Sequence, residues 1–103
     1  MKKTDDQLNA DFLTLMNENG FTLNGERLYD GRDVYSRIWT KEADVVWPGK
    51  SENRLEIKAD VAYGIPAIRI FKNDRLESRR DYSNPKRAIN AMREIVGNAG
   101  FEF

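Results

Sequence analysis

The alternation in Leu55-Glu56-Ile57-Lys58-Ala59-Asp60-Val61 constrains this chain more than any other feature. Successive side chains of a strand point to opposite faces, so a strict apolar and polar period of two describes a strand with one dry face and one wet one. The sequence around it is divided by turn signals. Asn24-Gly25, between Phe21-Thr22-Leu23 and Arg27-Leu28-Tyr29, predicts a tight hairpin, because a type I′ turn needs positive φ at both central residues. Asp30-Gly31 is a second such pair, and Asn73-Asp74 predicts a hairpin between Ala67 to Phe71 and Leu76 to Tyr82. Val34, Tyr35, Ile38 and Trp39 mark a strand with both faces partly covered, and Ala43 to Trp47 reads as another. Pro48 stops that strand, and Gly49, Lys50 and Ser51 continue as an exposed loop. Gly64 and Pro66 break the chain before the last hairpin.

Helical signals lie at both ends. Thr4 with Gln7 has the form of a capping box, and Leu8, Phe12, Leu15 and Met16 recur on one helical face, predicting a helix from Asp5 to Asn19 that Gly20 ends. Asn84-Pro85 is an N-cap and first-turn pair, followed by the stripe Ala88, Ile89, Met92, Ile95 and Val96 and an end near Gly97. Phe101 and Phe103 form a short aromatic tail, and residues 1–3 read as a disordered one. The expected class is therefore α+β, order αβββββα, with about five or six mostly antiparallel strands flanked by an N-terminal and a C-terminal helix. Residues 59–66 are too few for the crossover helix that a doubly wound parallel sheet requires. At 103 residues, 1–103 is one domain.

Composition then removes most chemistry. With 0 Cys and 0 His there are no disulfides, thiol nucleophiles, catalytic triads or imidazole shuttles within the chain. The 17 basic residues cancel the 17 acidic ones, so polyanion binding would have to be local. No apolar run follows Met1-Lys2-Lys3 and none spans a bilayer, so the expected setting is the cytoplasm, with no membrane.

One constellation carries a chemical meaning. If the strand of Asp44 pairs beside Glu56 and Lys58, which share a strand face, two carboxylates and an ammonium converge, a set able to hold Mg²⁺ and stabilise developing charge. Within residues 43–60 this spelling resembles the PD-(D/E)xK nuclease superfamily. The resemblance implies Asp44 and Glu56 as metal ligands, Lys58 as the catalytic lysine and Mg²⁺ as cofactor. Ala43 stands where that family usually has Pro, and there is no room for the helix expected after the Glu-x-Lys strand. Glu56 and Lys58 equally suit solvent-facing positions of an amphipathic strand. Pro48-Gly49-Lys50-Ser51 ends like a phosphate-binding loop, but the first glycine of that motif would fall at Asp44, and a strand follows where a helix is needed.

Charge is unevenly spread. From Arg69 to Arg93 eight basic residues face three acidic ones, a local +5, whereas residues 1–30 carry −3. Arg75, Arg79, Arg80 and Tyr82 are candidates for a patch that binds an acidic protein surface or nucleic acid, although alternation sends Arg79 and Arg80 to opposite faces. The same charges also suit an edge hairpin that resists sheet-to-sheet association. Trp47, beside the Pro48-Gly49 loop, joins the binding candidates, Tyr63 is a further aromatic one, and Trp39, Met16 and Met92 read as core. The favoured expectation is a small non-catalytic protein-binding regulator or inhibitor, of the accessory, adaptor or phage and mobile-element type. Its partner would be a larger protein or complex, met through Trp47, Arg75, Arg79, Arg80 and Tyr82. In that reading no residue is catalytic and no cofactor or metal is bound. The alternatives are the nuclease-like domain of Asp44, Glu56 and Lys58, and a nucleic-acid-binding module using residues 69–93.

Overall fold

The computed structural model describes residues 3–27, 33–43 and 51–99. Along them run α1 (Asp5–Glu18), β1 (Thr22–Arg27), β2 (Asp33–Ala43), β3 (Ser51–Ala62), β4 (Ile65–Lys72), β5 (Arg75–Asp81) and α2 (Pro85–Asn98). The strands form one open antiparallel meander in the order β1-β2-β3-β4-β5, which makes the chain an α+β domain of order αβββββα, as its pattern predicts.

Both helix starts form as their caps dictate. The Thr4 hydroxyl accepts from the Gln7 amide at 3.2 Å while the Gln7 side chain accepts from the Thr4 amide at 2.8 Å, so two orphan donors of α1 are satisfied reciprocally. The Asn84 side chain accepts from the Lys86 amide at 3.1 Å, and Pro85 fills the first turn of α2, where no N–H is needed. Lys3, expected in a disordered tail, donates to Asp11 at 2.6 Å. The far end of α1 has no basic residue in its last turn. Arg37 of β2 supplies one, donating to the Asn19 carbonyl at 2.6 Å with its guanidinium 4.4 Å from the Trp39 ring centroid. A cation at a helix C-terminus is favourable because the unpaired carbonyls there carry partial negative charge.

Helices and sheet meet over one core. Phe12 and Met16 of α1 and Ala88 and Met92 of α2 pack with Leu55, Ile57 and Ala59 of β3 and Ile68 of β4, all 2% exposed or less. Both helices thus cover the same sheet face, the one fed by the apolar phase of β3. Trp39 is half-buried at the margin, edge-to-face with Phe21 at 6.2 Å. The side chain of Asn9 reaches from α1 to donate to the Gly64 carbonyl at 2.9 Å, tying the helix to the β3–β4 turn.

Four expectations are corrected. Asn24-Gly25 is not a hairpin turn: it lies inside β1, where Asn24, Gly25 and Glu26 stand opposite the single residue Val34 as a bulge. Gly25 takes φ +82, which supports the bulge, while Asn24 is absent from the positive-φ region that a type I′ turn requires of both residues. The break expected at Gly64 forms as a tight Tyr63-Gly64 turn, with φ of +51 and +75, but Pro66 sits within β4 and does not interrupt it. Ser51 begins β3 and is not loop, because β2 and β3 pair as far as Ala43↔Ser51, four rungs beyond Trp39↔Leu55. Finally, Ala43, expected to begin a new strand, is the last residue of β2, because its pairing with Ser51 continues the β2–β3 ladder. α2 ends at Asn98, near Gly97 as expected, and Ala99 follows it into the core at 0% exposure. The expected turn Asp30-Gly31, residues 44–47 of the strand expected from Ala43 to Trp47, the loop 48–50 and the tail residues Phe101 and Phe103 lie outside the described residues.

Candidate functional site

The sheet has a second face, and among the described residues no helix or strand lies over it. Register and alternation assign its side chains. Across β3, β4 and β5 three rows run side by side: Asp60, Ala67, Asp81; then Lys58, Arg69, Arg79; then Glu56, Phe71, Leu76. On β2 the last two rows continue into Ser36 and Ile38. This face is neither plainly wet nor plainly dry. Ile38, Ile65 and Leu76 keep 43%, 41% and 54% exposure, whereas Asp60 keeps only 5%.

The polar phase of β3 is therefore more covered than its alternation suggests. Lys58 lies 4.9 Å from the Phe71 ring centroid and 4.0 Å from the Glu56 carboxylate, and the two charged side chains are 20% and 16% exposed. β3 is the central strand, so long side chains crowd it from both neighbours, and the Lys stem spreads over an aromatic ring while its head keeps a carboxylate and water. A pocket of about 240 Å³ opens beside them. It exists because Ala67 ends at Cβ between the longer Asp60 and Asp81 of the flanking strands, with Arg69 and Arg79 on one side and Tyr63 and Ile65 on the other. Tyr63, in the turn, is 87% exposed.

The structure separates the predicted arginine patch. Arg79 belongs to the uncovered face, directly opposite Arg69 and 3.9 Å from Asp81. Arg80 is on the helix side, opposite Ile68, with its guanidinium 5.6 Å from the ring centroid of Tyr82, which is partly buried against the core. Arg75 lies opposite Lys72 at the other end of β5. All of β5 is exposed and forms an edge of the sheet, so its charges also discourage pairing with a foreign strand. The remaining cations of the +5 segment, Lys86, Arg87 and Arg93, belong to α2. Trp47 lies outside the described residues.

Asp44 also lies outside them. Its neighbour Ala43 stands opposite Ser51, five residues along β3 from Glu56, or about 17 Å at strand rise. Among the described residues no group of three or more acidic, His or Cys side chains is arranged to hold a metal ion. Ile38, Ile65, Leu76, Lys58 and Arg69 were not singled out together by the sequence, because only the register brings them to one face.

The class defined by this geometry is a two-layer α+β domain with both helices on one side of a five-stranded antiparallel meander and a mixed apolar and charged face on the other. Comparison with known proteins returns no matching family model, no matching curated protein and no matching solved structure. No helix among the described residues is long and apolar enough to cross a membrane.

Proposed function

We propose that this chain is a non-catalytic protein-binding module, a small regulator or inhibitor that acts by laying its uncovered sheet face on a larger protein. The observation that carries the reading is the coexistence, on one face, of three exposed large apolar residues with side chains of both signs. Ile38, Ile65 and Leu76 at 41–54% exposure would stabilise a complex by leaving water. Lys58, Arg69 and Arg79 stand there with the acids Glu56, Asp60 and Asp81, and Arg54, a fourth cation in the same phase of β3, is paired with Asp74 of the β4–β5 turn at 3.4 Å. A face whose cations stand among acids in this way suits a protein surface with apolar ground and charges of both signs; nucleic acid would be served better by a strongly positive one.

Adjacent residues on opposite faces make the test self-controlled. The tagged chain, Leu76→Ser, Arg79→Glu and Arg80→Glu are each used to capture partners from lysate, with folding checked by circular dichroism. A specific partner retained by the wild type and Arg80→Glu but lost by Leu76→Ser and Arg79→Glu is the expected result. Equal retention by all four chains, or loss only in Arg80→Glu, overturns the assignment to this face.

A further inference from the structure

The other side of the molecule holds a larger concavity, a groove of about 790 Å³ between α1 and α2. Its two walls have opposite sign. From α1 it is lined by Asp5, Asp11 and Glu18, from α2 by Lys86 and Arg93, and Leu8, Leu15 and Ile89 supply its apolar part. The walls reflect whole helices: α1 contains four acidic residues and no basic one, and α2 contains Lys86, Arg87 and Arg93 against Glu94. Among the described residues no ion pair spans the groove, and Asp11 is engaged by Lys3 on its own side.

The helices also run in the same general direction. Asn9 in the first half of α1 is bonded to Gly64 in the β3–β4 turn, and the end of α1 is held by Arg37, whose partner Ile57 lies about 20 Å along β3 from that turn. α2 starts at the same end, since the Tyr82 amide donates to the Pro66 carbonyl three residues before Pro85. Two co-directional helices of opposite charge, side by side, are self-complementary under one operation. A two-fold axis parallel to the helices sets the acidic α1 of one copy over the basic α2 of the other, twice; an axis across them sets like on like.

We infer that the groove between α1 and α2 is a homodimer interface in which a second copy of this chain docks by that parallel two-fold. Two 14-residue helices present a surface about 21 Å long and about 20 Å wide, roughly 400 Å² per copy, which places the contact among small, weak interfaces. Charge attraction across it is screened by salt, so the dimer forms at high protein concentration and low ionic strength. This interface is separate from the uncovered sheet face and stands or falls independently of it.

Sedimentation equilibrium tests the inference with two wall-reversed chains: Asp11→Lys with Glu18→Lys, and Lys86→Glu with Arg93→Glu, each confirmed folded by circular dichroism. The wild type is expected to self-associate as a dimer that weakens at least about tenfold between about 0.02 M and about 0.5 M salt. Neither reversed chain should dimerise alone, because its two walls now share a sign, and an equimolar mixture of the two should form a heterodimer. A wild type monomeric up to about 1 mM at low salt, reversed chains that still dimerise alone, or a mixture that stays monomeric each overturns it.

Discussion

The two faces of β3 are built from one strand and solve burial in different ways. On the helix side Leu55, Ile57 and Ala59 reach 0–1% exposure under α1 and α2, by apolar packing alone. On the other side Glu56 and Lys58 are more than three-quarters covered with no element above them among the described residues, because neighbouring side chains lie across one another in the plane of the sheet. Covering of the first kind is stabilising through lost apolar hydration; covering of the second kind keeps charged heads in water and adds little. A face of the second kind can therefore change its side chains, or meet a partner, without the fold depending on the outcome.

Substitutions on matched positions sharpen that contrast. Phe12→Ala, beneath the helix layer, is expected to destabilise by about 3–5 kcal/mol in urea unfolding, since it removes a fully buried ring and leaves a cavity. Arg37→Ala should lose about 2 kcal/mol, from the charge-assisted bond to the Asn19 carbonyl and the stacking on Trp39, and Arg37→Lys should recover only part of it. Gly64→Ala should lose about 1 kcal/mol, because an alanine at φ +75 is disfavoured although its Cβ would meet only Asn9 Nδ2, at an ordinary 3.8 Å. Ile38→Ser and Leu76→Ser, on the uncovered face, should move the unfolding midpoint by less than about 0.5 kcal/mol equivalent. A loss of several kcal/mol at Ile38 or Leu76 would show that this face is structural, and the contrast between the faces would fail.

Much of the fold is legible in the sequence because its signals are local. The Thr4 and Gln7 capping box, the Asn84-Pro85 start, the alternation from Leu55 to Val61 and the Asn73-Asp74 turn each need only a few neighbouring residues, and each forms as read. Asn73 even extends the sheet, its amide donating to the Arg54 carbonyl and its side chain accepting from the Arg54 amide, both at 2.8 Å. The misread positions are those where pairing outvotes local preference. Asn24-Gly25 has the stronger hairpin spelling, yet the register of β1 on β2 uses it as a bulge, and Pro66, a breaker by local preference, pairs with Val61 inside β4. The candidate site was legible only in part for the same reason. The separation of Arg79 from Arg80 is legible as simple alternation, but the place of Arg79 beside Arg69 and Lys58 follows from the register of three strands.

The placement of α1 and α2 side by side over one core also sets an order for folding during synthesis. A ribosome makes α1 before the meander and α2 after it. Hairpins between successive strands can close as they emerge, since each strand's partner is its neighbour in the chain. The dry face of β3 and β4 nonetheless lacks Ala88, Ile89 and Met92 until nearly the whole of these elements has been translated. A nascent chain halted before α2 thus displays an apolar surface on the sheet, the kind of surface that chaperones hold, and emergence of α2 converts it into the closed domain.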